Sequence, residues 1–273
     1  MDHNRILKKQ LKRLDKQENR VLNRKENTYL KSKTDPVMEK IQGKIPEKLK
    51  TTLEAAFFKG FKLVFEKGHK YIEKTYKKDK LQFDYDLNNH RIDRNIDNKK
   101  LSNKHIRRLD KQAKQSKLMN TGISVLEGGI LGALGIGLPD IPLFISVMMK
   151  NIYEIALGYG YDYNEPKEKY YILLLIGGAL SKGEEQKDFN RQIDRLGKNI
   201  DKNIYTEIDL EEQMRVTSSI LSEAMLTTKF IQGIPIVGAV GGVANFNIIK
   251  KVGRYAGIKY KKRYLLGKAK DRD

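Results

Sequence analysis

The chain has 273 residues and a formal net charge of +20, with 32% charged side chains and no cysteine. This length allows a substantial hydrophobic core, in one large domain or two small ones. The absence of cysteine excludes disulfides, thiolate nucleophiles and thiolate metal sites, and it is consistent with a reducing compartment.

The positive charge lies toward the two ends of the chain. Residues 1–120 contain 33 Lys and Arg against 16 Asp and Glu, whereas residues 121–180 contain 3 against 6. Residues 181–273 contain 18 against 12. Both ends therefore favour an anionic partner, either lipid headgroups or nucleic acid.

Residues 1–33 predict a basic amphipathic helix, because Leu7, Leu11, Leu14 and then Val21 or Leu22 share one face. Such a helix lies on an anionic membrane or packs its apolar stripe on a protein body, and the pattern leaves both open. The first residues lack the apolar core of a secretory signal, so we expect a cytoplasmic protein.

A longer helix is predicted from Pro46 onward. Gly60 and Gly68 lie on or beside its stripe and indicate close helix contact or a local bend. Its apolar positions stay on one side: Leu49, Leu53, Phe57, Phe61, Val64, Phe65, Ile72 and Tyr76.

Residues 80–100 are polar, mixed in charge and without steady periodicity, so they predict a surface loop. Residues 101–117 predict a basic helix.

The segment 118–160 predicts an apolar helical hairpin. Its first 32 residues contain two ionisable side chains, Glu127 and Asp140. Pro139 suits the first turn of the helix that forms the second arm of the hairpin. Gly160 suits the left-handed residue that ends a helix. One stripe runs along the second arm: Ile141, Ile145, Met148, Ile152, Ile155 and Tyr159.

Three further helices are predicted before the second apolar segment. Asn164 and Asp209 are candidate N-caps for the first and third, and Pro166 suits a first turn. The first is apolar almost all round, from Tyr170 to Ile176, and is therefore expected to be buried. The second and third have one apolar face each: Phe189, Ile193, Leu196 and Ile200, then Met214, Ile220, Leu221, Ala224 and Met225.

The segment 230–266 repeats the construction of the first hairpin and leads into a basic C-terminal helix. Gly238 and Gly242 stand four residues apart, as do Gly128 and Gly132, and this spacing allows close helix contact in a membrane or a tight soluble bundle. Each stretch is shorter than the ~20 residues of a spanning helix. A soluble core and a hairpin that dips into lipid both remain open. The final helix has a predicted apolar face: Ile249, Val252, Ala256, Tyr260 and Tyr264.

These elements predict an all-α protein, a helical bundle built around two glycine-rich apolar hairpins with basic amphipathic terminal helices. We divide the chain into an N-terminal helix, 1–33, and a helical domain, 34–273. The basic residues of the last helix are candidates for binding an anionic surface: Lys250, Lys251, Arg254, Lys259, Lys261, Lys262 and Arg263.

The motifs of common enzymes are incomplete in this chain. Gly135 to Asp140 lacks the third glycine of a dinucleotide fingerprint, and Gly122 to Leu126 lacks the second glycine of a nucleophile elbow. The four histidines are scattered, so we expect no metal and no cofactor. The candidate functional acids are Glu127, Asp140 and Asp162, since a carboxylate in an apolar segment needs a partner or a raised pKa.

Three stretches resemble the EcsC family of bacterial proteins: Gly-Leu-Pro-Asp-Ile-Pro at 137–142, Glu154 to Asp162, and Ile234 to Asn245 followed by the basic helix. The resemblance covers about 118–266 well and the long helix predicted after Pro46 loosely, and residues 1–33 match no family pattern. The family is named for a gene beside those of an ABC transporter. The resemblance therefore implies an α-helical, membrane-linked accessory protein, and it supplies no catalytic residues.

Together these observations predict a non-catalytic, membrane-associated accessory or scaffolding protein of bacterial transport or envelope function. It would bind anionic lipid headgroups at the inner face of the cell membrane, peripherally or partly inserted. An ABC transporter or another membrane protein is the expected partner. The alternatives are a soluble basic protein that binds nucleic acid, and a hydrolase that uses Glu127 or Asp140.

Overall fold

A computed structural model describes residues 3–23, 46–113, 140–231 and 242–270. Every regular element in these ranges is helical, which confirms the all-α prediction. The α-helices are α1 (His3–Leu22), α2 (Glu47–Leu63), α3 (His69–Glu73), α4 (Lys78–Asp97), α5 (Asn103–Ala113), α6 (Asp140–Gly158), α7 (Pro166–Leu180), α8 (Gly183–Asp201), α9 (Leu210–Ile231) and α10 (Gly242–Lys270).

Helix α10 lies at the centre of the described helices and packs against α1, α6, α7, α8 and α9. All five residues of its predicted apolar face are buried. Tyr255, Ile258 and Leu265, which lie outside that face, are buried as well. The predicted stripe is therefore one part of a helix that is enclosed on several sides.

Helix α6 is the second core helix. All six residues of its predicted stripe are buried, and it packs against α2, α4, α5 and α10. Its window Ile141–Gly158 has a mean hydropathy of 1.3 and is long and apolar enough to cross a membrane, yet 89% of the window is buried inside the protein. These apolar side chains are covered by the neighbouring helices.

Helices α2 and α3 are joined by a π-helical turn, Val64–Gly68. A Cβ at Gly60 would lie 2.5 Å from Ile145 Cδ1, so this glycine allows α2 to approach α6 closely. Gly68 ends the π-turn, which is a local departure from regular α-helix. Of the two alternatives predicted for these glycines, close helix contact is confirmed at Gly60.

The prediction of a surface loop over residues 80–100 is wrong, because α4 occupies most of that range. Its buried face contains Asn88, Ile92 and Ile96. The Asn88 side chain donates a hydrogen bond to Gln112 Oε1 at 2.5 Å, which allows this polar residue to be buried. Asn88 interrupts the apolar pattern in the sequence, and this hid the helix.

Two of the predicted helix ends are confirmed. Gly160 has φ +83°, and the Tyr161 N–H donates to the Ala156 carbonyl at 2.9 Å, as in a Schellman C-cap. Asp209 accepts from the Glu212 N–H at 2.9 Å and caps α9. Asn164 caps no helix. Its amide donates to Asp162, and α7 begins at Pro166.

Helix α1 packs mainly along α10 with the predicted leucine face inward. Leu7 and Leu14 are buried, and Leu11 and Val21 are partly buried. Of the two alternatives for this helix, the structure contains the one in which the stripe packs on the protein body. The boundary at residues 33 and 34 lies outside the described residues.

We predict that Gly158→Ala lowers the free energy of unfolding, because the added Cβ would lie 2.6 Å from Ala113 Cα and would push α5 from α6. Overpacking of this kind costs about 1–3 kcal/mol. Gly257→Ala is the matched control, since its Cβ would meet nothing within 4 Å. The control should gain up to about 1 kcal/mol from helix propensity. Urea denaturation measures the free energy of unfolding of both variants. Equal changes in the two variants would contradict the close packing of α6 on α5 at Gly158.

Candidate functional site

The cations in the second half of α10 point into the protein. Lys259 is 1% exposed, Arg263 6% and Lys261 9%. A buried charge is stable only when other groups pair with it and complete its hydrogen bonds. Each of these three side chains has such partners on other helices.

Arg263 joins α10 to α7 and α8. Its Nη1 donates to Glu168 Oε1 at 2.8 Å, and its Nη2 and Nε donate to the two Asp201 oxygens at 2.7 and 3.2 Å. The guanidinium carbon lies 4.1 Å from the ring centroid of Tyr161 and 4.5 Å from that of Tyr171. Arg263 is therefore held by a bidentate carboxylate, a second carboxylate and two aromatic faces.

Burial affects the pKa of both partners in this cluster. It raises the pKa of the Glu168 carboxyl above its ordinary value, although Arg263 opposes the change. Burial alone would lower the pKa of Arg263, but Glu168, Tyr171 and Asp201 raise it well above the usual range. Arg263 therefore remains a cation inside the protein.

Lys259 and Lys262 join α10 to α1 and α8. Both bind Glu18, which is buried, and both bind Asp194, at 2.8 Å from Lys259 and 3.3 Å from Lys262. Asp15 lies 3.7 Å from the Lys262 ammonium. Burial lowers the pKa of Lys262, but Glu18 and Asp194 raise it by more. Two lysines and two carboxylates thus connect three helices.

Lys261 and Lys268 extend the same network to α4 and α5. Lys261 lies 2.6 Å from Asp110 Oδ2, and the Tyr159 hydroxyl donates to the other oxygen of that carboxylate at 3.0 Å. Lys268 lies 2.6 Å from Asp93. The cations of α10 therefore contact carboxylates on α1, α4, α5, α7 and α8.

A cleft of about 590 Å³ opens beside this network, between the C-terminal half of α8 and the last turns of α10. We call it the α8–α10 cleft. Its lining residues are Asp194, Lys198, Asp201, Lys202, Lys259, Lys262, Arg263, Leu266 and Gly267. Lys198 and Lys202 are exposed and form no ion pair with the residues that the structure describes.

The side of α1 that faces away from α10 presents exposed cations to solvent. Two acids lie on this helix: Glu18 is buried, whereas Asp15 is exposed near Lys262. The exposed cations of α1 are Arg5, Lys8, Lys9, Lys12, Arg13, Lys16 and Arg20. We call this set the outer face of α1. Helix α5 adjoins it through a hydrogen bond from Gln10 to Asn103 at 2.7 Å and adds exposed cations of its own: Lys104, Arg107, Arg108 and Lys111.

A separate chain of hydroxyls lies near the C-terminal half of α6. Tyr163 donates to Glu73 Oε1 at 2.6 Å, and the Tyr76 hydroxyl lies 2.5 Å from that of Tyr163. Burial raises the pKa of both tyrosines, so both remain neutral donors at physiological pH. Nearby, Glu154 is buried and pairs with Lys150 at 2.9 Å. These groups form a hydrogen-bonded cluster separate from the cations of α10.

Several predicted site residues lie outside the described residues: Glu127, Gly128, Gly132 and Gly238. Asp140 and Gly242 are described only as the first residues of α6 and α10. Asp162 is exposed and accepts from the backbone and side-chain nitrogens of Asn164, at 3.0 and 2.9 Å. These bonds stabilise the turn before α7.

The cations predicted to bind an anionic surface fall into two groups. Lys250 and Arg254 are exposed, and Lys251 is partly buried and has an interaction within the protein. The other four are paired with carboxylates inside the protein: Lys259, Lys261, Lys262 and Arg263. The prediction that these four bind an anionic surface is therefore wrong. A run of basic residues suggested a solvated face, and the acidic partners on distant helices were not visible in the sequence.

The described residues contain no group of three or more His, Asp or Glu side chains arranged to hold a metal ion. The predicted lack of a metal and of a cofactor stays a prediction, because residues outside those ranges are not tested.

This fold and network define an all-α protein in which a central basic helix is paired with carboxylates from the helices around it. The model of the EcsC protein family matches residues 8–265, so the chain belongs to that family. It is 27% identical over 150 residues to Protein EcsC of Bacillus subtilis (strain 168), across 53% of this chain and 58% of that protein. No solved structure matches the chain. The family match begins within α1, earlier than the resemblance seen in the sequence.

We predict that Arg263→Met lowers the free energy of unfolding by about 3–5 kcal/mol, because Glu168 and Asp201 would lose their buried cation. Arg191→Met is the control. Arg191 pairs with Asp188 at the surface, where both side chains are more than half exposed, and such pairs contribute about 0–1 kcal/mol. Denaturant titration measures both variants. A loss below about 1 kcal/mol for Arg263→Met would contradict the buried pairing.

Proposed function

We propose that this protein is a non-catalytic, membrane-associated accessory or scaffolding factor that binds the anionic inner face of the bacterial cell membrane. The outer face of α1 is the observation that carries the proposal. It presents seven cations to solvent, with Glu18 and the apolar face of the same helix turned toward α10.

The strength of this attraction follows from the number of exposed cations. A Lys or Arg near an anionic leaflet contributes on the order of 1 kcal/mol, and α5 adds further exposed cations beside α1. The apolar stripe of α1 is occupied by its contacts with the protein body. Binding through the docked helix is therefore electrostatic, and salt should weaken it.

Membership in the EcsC family supports a transport or envelope setting through the gene neighbourhood that gave the family its name. An ABC transporter or another membrane protein is the partner we propose. The protein in that case would be positioned on the cytoplasmic surface, next to its partner. Partial insertion of the apolar segments 118–160 and 230–266 belongs to the same proposal.

Nucleic acid is the second anionic polymer that the outer face of α1 fits, since regularly spaced cations also bind phosphates of a duplex. The described residues offer no stacking platform beside those cations. Vesicles and duplex DNA compared at one ionic strength separate the two functions. Tighter binding to DNA, with no binding to vesicles, would replace the membrane proposal.

We expect the triple variant Lys8→Glu, Lys12→Glu, Lys16→Glu to lose about tenfold or more of its affinity for vesicles that contain phosphatidylglycerol, because three exposed attractions become repulsions. Vesicle cosedimentation measures the loss. Lys59→Glu, Lys62→Glu, Lys67→Glu makes the same charge change at exposed positions of α2 and the π-turn and should retain more affinity.

High salt should release the wild-type protein from these vesicles. Retention through both high salt and alkaline carbonate would mean that apolar segments insert in addition. The proposal fails if the wild type does not bind at low salt, or if the α1 and α2 variants lose equal affinity.

A further inference from the structure

The α8–α10 cleft has the size of a ligand site. Its volume of about 590 Å³ falls within the ~300–1,000 Å³ of common small-molecule sites. Leu266 and Gly267 form an uncharged part of its lining, and Leu266 is 38% exposed. The cleft therefore has space for an organic body next to its charged groups.

The charges of this cleft are divided into an inner and an outer set. The inner cations Lys259, Lys262 and Arg263 are bound by Asp194 and Asp201 in the lining and by Glu18 and Glu168 behind it. These three cations and four carboxylates together have a formal charge of −1, so the inner cations are fully compensated. The uncompensated charge that a ligand meets belongs to Lys198 and Lys202.

We infer that the α8–α10 cleft binds a phosphate ester, with the phosphate between Lys198 and Lys202 and the organic body against Leu266 and Gly267. Lysine ammonium groups bind phosphate as point charges, and two of them four residues apart complement its charge. Each carboxylate of the lining is paired with a cation of α10, which reduces its repulsion of this phosphate.

A phosphate ester has two sources, a phospholipid headgroup and a free phosphorylated metabolite. The headgroup source rests on the proposed function, whereas the metabolite source does not depend on a membrane. The chemistry recognised is the same in both, so probes that differ only in the acyl chains separate them.

A purely structural role for the two lysines makes a different prediction. Lys198 and Lys202 lie at the C-terminus of α8, where cations offset the partial negative charge of the helix. In that role their replacement would change stability and leave ligand binding absent or unaffected.

The test uses the full chain and two probes that share one headgroup, glycerophosphoglycerol and a short-chain phosphatidylglycerol below its micelle concentration. Calorimetric titration should detect binding of at least one probe. Lys198→Glu, Lys202→Glu should weaken it about tenfold or more, because charge-assisted bonds are replaced by repulsion. Arg195→Glu is the control, since Arg195 is an exposed cation of α8 outside the cleft.

A fluorescent reporter measures probe binding without replacing Lys198 and Lys202, so a loss of stability in the lysine variant does not affect it. The sequence contains no Trp, so Leu266→Trp places a single indole in the cleft, and bound probe should change its emission. Phe83→Trp is the control on α4, at a position that is 65% exposed and remote from the cleft lining. Its emission should stay unchanged.

The outcomes separate this proposal from the membrane proposal. Binding of the lipid probe alone identifies a phospholipid, because the acyl chains are then required, and binding of glycerophosphoglycerol identifies a metabolite-like ester. Neither probe binding, or equal losses in Lys198→Glu, Lys202→Glu and in Arg195→Glu, overturns the cleft site. Vesicle binding that depends on α1 but not on the cleft lysines would leave the proposed function standing without this site.

Discussion

Burial of the cations of α10 is the constraint on which the other helices depend. Lys259, Lys261 and Arg263 are almost wholly removed from solvent, and a charge in that position is tolerated only with partners. The carboxylates come from separate helices, such as Glu18 on α1 and Glu168 on α7. A helix that packed in another register would leave both a cation and a carboxylate without a partner. The ion pairs therefore select the arrangement of the helices, while the buried apolar area of α6, α7 and α10 supplies most of the driving force.

The same pairing separates the positive charge of the protein into two populations. The cations of α10 are largely neutralised by internal carboxylates, so they contribute little to the field outside. Helix α1 has the opposite arrangement, because Glu18 and the leucine face are turned inward and seven cations remain in solvent. An anionic partner therefore meets α1 and α5 before the basic C-terminal helix. For the proposed function, this division favours a peripheral mode of membrane binding. The α8–α10 cleft lies next to α1, because Lys262 in its lining pairs with Glu18.

Periodicity predicted much of the fold, because an apolar stripe at helical spacing has one favourable arrangement. The stripes of α6 and α10 are buried as predicted, and in α8 Phe189, Ile193 and Leu196 are buried while Ile200 is partly buried. Gly60 and Asp209 have the predicted roles. The failures share a cause, which is polar residues buried by partners far away in the sequence. Asn88 concealed α4 in this way, and Arg263 appeared to belong to a solvated face. The sequence did contain one signal that α10 is enclosed on several sides. Tyr255 and Ile258 are large apolar residues outside its predicted stripe, and both are buried. The predicted acid Glu127 and its neighbouring glycines lie outside the described residues.

The most direct test of this division of charge is amine acylation of the native protein, followed by mass spectrometry of each lysine. Acylation rates report solvent access to individual ammonium groups. We predict slow modification of Lys259 and Lys261, because their ammonium groups reach solvent only when the protein unfolds. We predict fast modification of Lys8, Lys12 and Lys16, which are exposed. Anionic vesicles should slow modification at the three α1 lysines and leave Lys59 unchanged. If Lys259 in the folded protein is modified as fast as Lys8, the cations of α10 are not buried and this division of charge is wrong.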